Sequence, residues 1–166
     1  MISSSLAQAI NTQIGNELAA SLQYYAIAAH FQKANLSQLA TLFFKQADEE
    51  REHAQKLLHY VLDTKGDLRI PAVREPVHTF PSAEAAVEAA LNWEVEVTGQ
   101  IRGLMDIAAN ERDYLAQGFL QWFVDEQLEE VNKMDRLLNV IRMSGDRSLI
   151  MVEAYLVHGG GAGATA

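Results

Sequence analysis

Glu50 and His53 stand three residues apart in a stretch free of helix breakers. On a helix that spacing puts a carboxylate and an imidazole on one face, where both can reach one metal ion. Gln127 and Glu130 repeat the spacing later in the chain, with an amide where a second acid could stand. Each pair interrupts an apolar register. Leu39, Phe43 and Gln46 lead into Glu50 and His53, and Leu57 follows. Leu120 and Phe123 lead into Gln127 and Glu130, and Met134 follows. Two further acids break registers in the same way: Ile10, Ile14, Leu18 and Tyr24 enclose Glu17, while Leu91, Thr98 and Ile101 flank Glu94. No Lys or Arg is expected on these registers. A carboxylate buried without a partner costs several kcal/mol or takes up a proton. Two divalent cations would balance four carboxylates, with His53 neutral. Carboxylate and imidazole donors suit iron and manganese, and zinc also fits. A single Glu on an apolar stripe is usually at its edge with the head group in water, and a lone His is usually a hydrogen-bonded core residue. Four helices with the same fault near their middles argue for a shared site.

Around this set the spacing leaves choices open. Glu49, Glu126 and Glu129 read either as a solvated acidic face or as a third, weaker cation site beside the first two. Tyr24, two turns beyond Glu17, is placed to donate a hydrogen bond to a ligand or to pack in the core. Trp122 adjoins the Phe123 register and reads as packing. His30, His59, His78 and His158 have no acidic partner at ligand spacing and read as surface or interface residues. The chain has no Gly-rich phosphate loop and no nucleophile elbow.

The elements that must carry these residues are helices. All three prolines fall between residues 71 and 81, and the remaining sequence is rich in Ala, Leu, Gln, Glu and Lys. The pattern predicts helices over about 6–33, 38–64, 83–110 and 114–143, with a short amphipathic one over 148–157. Ser3 to Ser5, Ser37 and Ser82 are the candidate N-caps, and Gly66 and Gly145 the stops. Short turns near Asn35 and Asp113 make the first two helices, and the last two long ones, antiparallel neighbours. The link over 66–81 is different. At about 3.3 Å per residue it reaches roughly 50 Å, longer than a second helix of about 40 Å. It can therefore run back along the bundle and leave the second and third helices parallel. The competing picture is a mobile loop on an all-antiparallel bundle.

The chain has 166 residues, 49% of them hydrophobic, which suits one domain with a full core. Residues 1–158 are expected to form it, with 159–166 a disordered Gly/Ala-rich tail. Thirteen basic and 22 acidic residues give a net charge of −9. That field repels nucleic acid and anionic membrane and attracts cations. The absence of cysteine excludes disulfides, thiolate metal sites and cysteine nucleophiles. No apolar run is long enough to span a bilayer, and the N-terminus has no signal-peptide pattern, so a cytoplasmic location is expected.

Glu17, the run Glu49-Glu50-Arg51-Glu52-His53, Glu94 and the run Glu126-Gln127-Leu128-Glu129-Glu130 together resemble a bacterial non-haem ferritin, over nearly the whole chain. The resemblance implies an all-α, ferritin-like four-helix bundle with one long crossover and a short fifth C-terminal helix. It implies iron storage, with Fe(II) oxidised to Fe(III) by dioxygen or hydrogen peroxide at a ferroxidase centre inside each subunit. Glu17, Glu50 and His53 would hold one iron; Glu50, Glu94 and Glu130 would hold a second, with Glu50 bridging. Gln127 would stand behind the ligands, near dioxygen or a bridging oxygen. Glu49, Glu126, Glu129 and Glu130 match the third iron site of the family, and Tyr24 and Trp122 its flanking aromatics. A 24-subunit shell is implied as well. Bacterioferritins carry a second Glu-x-x-His where this chain has Gln127 and Glu130, and a haem-ligating Met where it has Arg51, so no haem is expected. Two other functions share the same residues: a di-iron enzyme acting on peroxide or an organic substrate, and a structural helical assembly whose acids are satisfied by water.

Overall fold

The computed structural model describes residues 1–159. Five α-helices follow one another: α1 (Ser4–Lys33), α2 (Ser37–Asp63), α3 (Ala83–Asn110), α4 (Tyr114–Ser144) and α5 (Leu149–Val157), the last preceded by a 3-10 turn, Asp146–Ser148. The described residues contain no strand. The tail expected to be disordered lies, from residue 160, outside the described residues.

Side-chain caps start three of the long helices. Ser3 Oγ accepts from Leu6 N at 3.0 Å, Ser82 Oγ from Ala85 N at 3.1 Å and Asp113 Oδ1 from Ala116 N at 2.9 Å. Each satisfies an amide that has no partner inside its helix. The start of α2 is capped from elsewhere. Leu36 occupies its N-cap position and has no side-chain acceptor to offer. Glu153 of α5 supplies one instead, accepting from Gln38 N at 2.8 Å and Leu39 N at 2.9 Å. Ser37, expected to cap this helix, sends its own Oγ toward the same carboxylate at 3.4 Å. At the far end of α2 the residue in the left-handed region is Lys65 (φ 61°), and Gly66 comes one position later.

Hydrogen bonds at the ends fix the topology. Ile2 N reaches Thr64 O at 3.4 Å, so α1 starts where α2 ends. Ser3 Oγ donates to Glu111 Oε1 at 2.9 Å, so α1 also starts where α3 ends. Both α2 and α3 therefore run opposite to α1 and parallel to each other. The link between them climbs the length of α1. Asn11 Nδ2 donates to Asp67 O at 2.8 Å, the Gln23 amide bonds both Val77 N (2.8 Å) and Val77 O (3.0 Å), and the rings of His30 and Phe80 meet at 5.5 Å. Gly15 makes room for this climb: a Cβ there would sit 2.4 Å from Pro71 Cγ. The crossover is thus a tethered strap along the bundle, the arrangement the link's length allowed.

The core falls into two apolar halves. One gathers Tyr24, Ile27, Phe31, Leu39, Phe43, Val87 and Ile141; the other Leu6, Ile10, Ile14, Leu57, Val61, Ile101 and Leu120. Two registers shift relative to the sequence reading. On α1, Leu18 is half-buried and the buried row passes through Glu17 itself. On α3 the buried row is Val87, Ala90, Glu94, Val97, Ile101 and Leu104, leaving Leu91, Thr98 and Met105 half-buried at its edge. Neither shift moves an acid outward. Both place Glu17 and Glu94 nearer the centre of the stripe.

Candidate metal centre

A polar layer separates the two apolar halves of the core. Glu17 from α1, Glu50 and His53 from α2, Glu94 from α3 and Gln127 and Glu130 from α4 are all buried, the four carboxylates to 1% exposure. They form two overlapping groups. One ligand atom each from Glu17, Glu50 and His53 lie within 4.8 Å of one another, and so do those from Glu50, Glu94 and Glu130. Glu50 belongs to both. The arrangement offers two adjacent cation positions with a carboxylate between them. The structure brings together the residues that the resemblance implies for each ligand set.

Each acid is held by a partner. Gln13 Nε2 donates to Glu17 Oε1 at 2.9 Å. Gln46 Nε2 reaches both Glu50 Oε1 (3.0 Å) and Glu130 Oε2 (2.6 Å), joining α2 to α4. Tyr24 OH donates to Glu94 Oε1, and Gln127 Nε2 to Glu94 Oε2 at 3.1 Å. Tyr24 thus takes the hydrogen-bonding role rather than packing alone, although its ring also meets Phe43 at 5.8 Å. Gln127 touches the Glu94 carboxylate and, at 3.2 Å, its main-chain carbonyl. His53 Nδ1 lies 3.1 Å from Glu50 Oε2, and its ring meets the edges of Trp122 (5.4 Å) and Phe123 (6.1 Å). One acceptor is left over. Glu17 Oε2 is buried without a hydrogen-bond partner, as expected of an oxygen aimed at a cation.

The protonation states report the same crowding. Burial, then the charge of Glu50, push Glu17 up to about 8. Burial, then Glu50, hold Glu94 well above the ordinary carboxylate range. Burial raises Glu130, opposed by Lys133. His53 is pulled down by burial, but its hydrogen bond to Glu50 and the charges of Glu50 and Glu17 outweigh this and lift it to about 9. Without a metal, protons occupy the centre at neutral pH. A folded domain is stable by only about 5–15 kcal/mol. It cannot hold four ionised carboxylates against the one ammonium of Lys133, each surplus buried charge costing several kcal/mol.

The remaining expected ligands are placed differently. Glu49 and Glu126 are half-buried and Glu129 is exposed. None of the three joins a ligand group among the described residues. Sequence reasoning also missed Gln13 and Lys133, and placed Gln46 on the buried register without giving it a role. Gln13 and Gln46 each precede a ligand by one turn, a spacing that could have revealed them. Lys133 corrects the expectation that no basic residue serves these registers. Its Nζ reaches Glu130 Oε1 at 2.9 Å and Glu49 Oε2 at 3.1 Å. It stands one turn after Glu130, beside Met134 on the apolar stripe, and a flexible stem brings its charge inward. Arg51 stays on the surface, 3.3 Å from Asp48.

Comparison with known proteins carries the geometry to a family. The family model described as Ferritin-like domain matches residues 7–144. The chain belongs to the ferritin family. All residues of both ligand groups lie inside the matched span, and α5 lies beyond it. Among relatives, Ferritin BfrB of Mycolicibacterium smegmatis is 40% identical over 147 residues, 89% of this chain and 81% of that protein. The bacterial non-heme ferritin of Staphylococcus aureus is 36% identical over 148 residues, 89% of each. A solved structure of an open-pore ferritin from the archaeon Archaeoglobus fulgidus matches with a TM-score of 0.90 at 32% identity, covering 94% of this chain and 98% of that one. The ferritin-family fold therefore extends past the matched domain into the fifth helix.

Proposed function

We propose that this ferritin-family chain stores iron, oxidising Fe(II) to Fe(III) at the centre built on Glu50 and depositing ferric mineral inside a hollow shell of copies of itself. The observation that carries the reading is the pair of buried ligand groups sharing Glu50. Two ferrous ions held side by side can lose one electron each. That matches the two-electron reduction of dioxygen to hydrogen peroxide, or of peroxide to water. Iron is the substrate here.

The protein's own residues account for much of the chemistry. The net charge of −9 draws cations toward the chain. Glu17, Glu50 and His53 take one ion, and Glu50, Glu94 and Glu130 the other. Anionic ligands favour the ferric over the ferrous state and so drive oxidation. The protons held on Glu17 and His53 leave as iron enters. Tyr24 and Gln127 orient Glu94, while Gln46 holds Glu50 and Glu130 in register. Glu126 and Glu129, nearer the surface, are stepping positions for ferric ions on their way to the mineral. The location proposed is the cytoplasm and the assembly a 24-subunit shell.

The deciding experiment mixes anaerobically loaded protein with oxygen and sizes the particle in parallel. A fast oxidation phase saturating near two irons per chain, from a particle of several hundred kilodaltons, is the expected result. Fast oxidation from a small oligomer would favour a di-iron enzyme with another substrate. A large shell with no fast phase would refute the centre.

A further inference from the structure

Lys133 meets three acceptors at once. Its Nζ donates to Glu130 Oε1 at 2.9 Å, Gln46 Oε1 at 2.9 Å and Glu49 Oε2 at 3.1 Å. An ammonium has three protons to give, so these contacts saturate it. The side chain is 28% exposed. It borders a surface pocket of about 350 Å³ that Gln46, Glu49, Lys45 and Leu42 also line. A cation thus already stands between Glu49 and Glu130, where the outer edge of the centre meets the surface.

Those two acids belong to the cluster in which a third metal ion was expected. Glu126 and Glu129, the other members, join no ligand group among the described residues. The charge count points the same way. Lys133 is shared by Glu130 and Glu49, so the five carboxylates of Glu17, Glu49, Glu50, Glu94 and Glu130 balance one ammonium and two divalent ions. A third divalent ion would have to displace an ammonium that cannot diffuse away and would stay nearby as a like charge.

We propose that Lys133 is a tethered counter-ion that takes the place of a third metal ion and limits the centre to two divalent cations. The inference rests on the two-metal reading of the centre and assigns the role of its outer edge. Ferric ions pass this edge without a tight resting place, and Glu130 keeps a fixed partner in Lys133.

The test counts zinc, which cannot change oxidation state, bound to the assembled metal-free protein. Lys133→Met keeps the stem and removes the charge. It is expected to bind one more zinc per chain than the native protein. Adding Glu49→Gln to that variant should remove the extra zinc, and Lys133→Arg should keep the native count. Equal counts for the native protein and Lys133→Met would overturn the proposal, as would an extra zinc in Lys133→Arg. Should Lys133→Met fail to assemble, Lys133→Gln carries the same expectation. The native count bears on the centre alone: fewer than two zinc ions per chain would refute the two-metal reading, while the difference between variants still decides the role of Lys133.

Discussion

Glu130 joins two functions on one side chain. It is a member of the second ligand group and also the acceptor that Gln46 and Lys133 share. Glu130→Ala should therefore slow the fast phase of iron oxidation by about tenfold or more, since an anchoring ligand and its network go together. A wild-type rate in stopped-flow mixing would remove Glu130 from the centre. The protons at the site make a second prediction. Glu17 keeps its proton up to about 8 in the folded chain against an ordinary 4.5. His53 keeps its own up to about 9 against 6.5. Across these windows the folded state binds more protons than the unfolded one, so stability falls as pH rises. The His53 contribution is complete below 6.5 and lost above about 9. Metal-free protein should melt at progressively lower temperature from about pH 6 to about pH 9, and bound zinc should reverse the trend. A flat profile for the metal-free protein would contradict the burial argument. At this scale the sequence was legible where an acid broke an apolar register, as at Glu17, Glu50, Glu94 and Glu130. It was less so where a long side chain moves its charge away from its backbone position, as Lys133 does.

Helices and their connections hold these residues to the geometry, and two contacts show how. Glu153 caps α2 from 115 residues away along the chain, through its bond to Gln38 N. No local pattern announces such a cap, which is why Ser37 looked sufficient from its neighbours alone. Because α2 carries Glu50 and His53, the cap links the fifth helix to the metal centre. Glu153→Ala should cost about 1–2 kcal/mol, the usual range for a lost N-cap. It should also fray the start of α2, read as faster amide exchange at Gln38 and Leu39. The crossover makes the other contact. Its direction could be argued from link length, but its tethering to Asn11, Gln23 and His30 could not, because polar side chains on a helix do not declare their loop partners. Replacing a helical Gly by Ala is normally worth about 1 kcal/mol of added stability. Gly103→Ala should show that gain, since nothing lies within 4 Å of the position its new methyl group would take. Gly15→Ala should lose it, because the added carbon meets Pro71 at 2.4 Å and pushes the strap outward. Opposite shifts in melting temperature would follow. A rise for Gly15→Ala would mean that the strap yields without cost.

Large apolar side chains stand uncovered on the surface of the described residues. Only Val152 of α5 is fully buried, while Ile150, Met151 and Val157 are 75%, 63% and 60% exposed. Leu115 at the start of α4 and Leu128 beside the centre are each 66% exposed. Scattered singly such residues are ordinary, but three on one nine-residue helix make α5 the candidate interaction surface. Their burial between copies is worth about 25 cal/mol per Å² before the cost of association. Periodicity revealed which residues face the core of one bundle, but it treats every other face as solvent. A surface that would meet other copies is therefore not legible, even though the residues on it are. Because α5 packs on α2 and α4 and also carries Glu153, the same short helix would join assembly to the candidate metal centre. Ile150→Asp combined with Met151→Asp puts charge on its outer face and leaves the inner contacts at Val152 and Glu153 alone. That double variant should keep its helical circular dichroism and its zinc-binding count, yet elute as a much smaller species than the native particle. If it still assembles to native size, the outer face of α5 is not an interface and the shell must close through α4 and the bundle sides. If it loses zinc binding as well as size, the centre depends on assembly, and the four helices of one chain do not suffice to hold it.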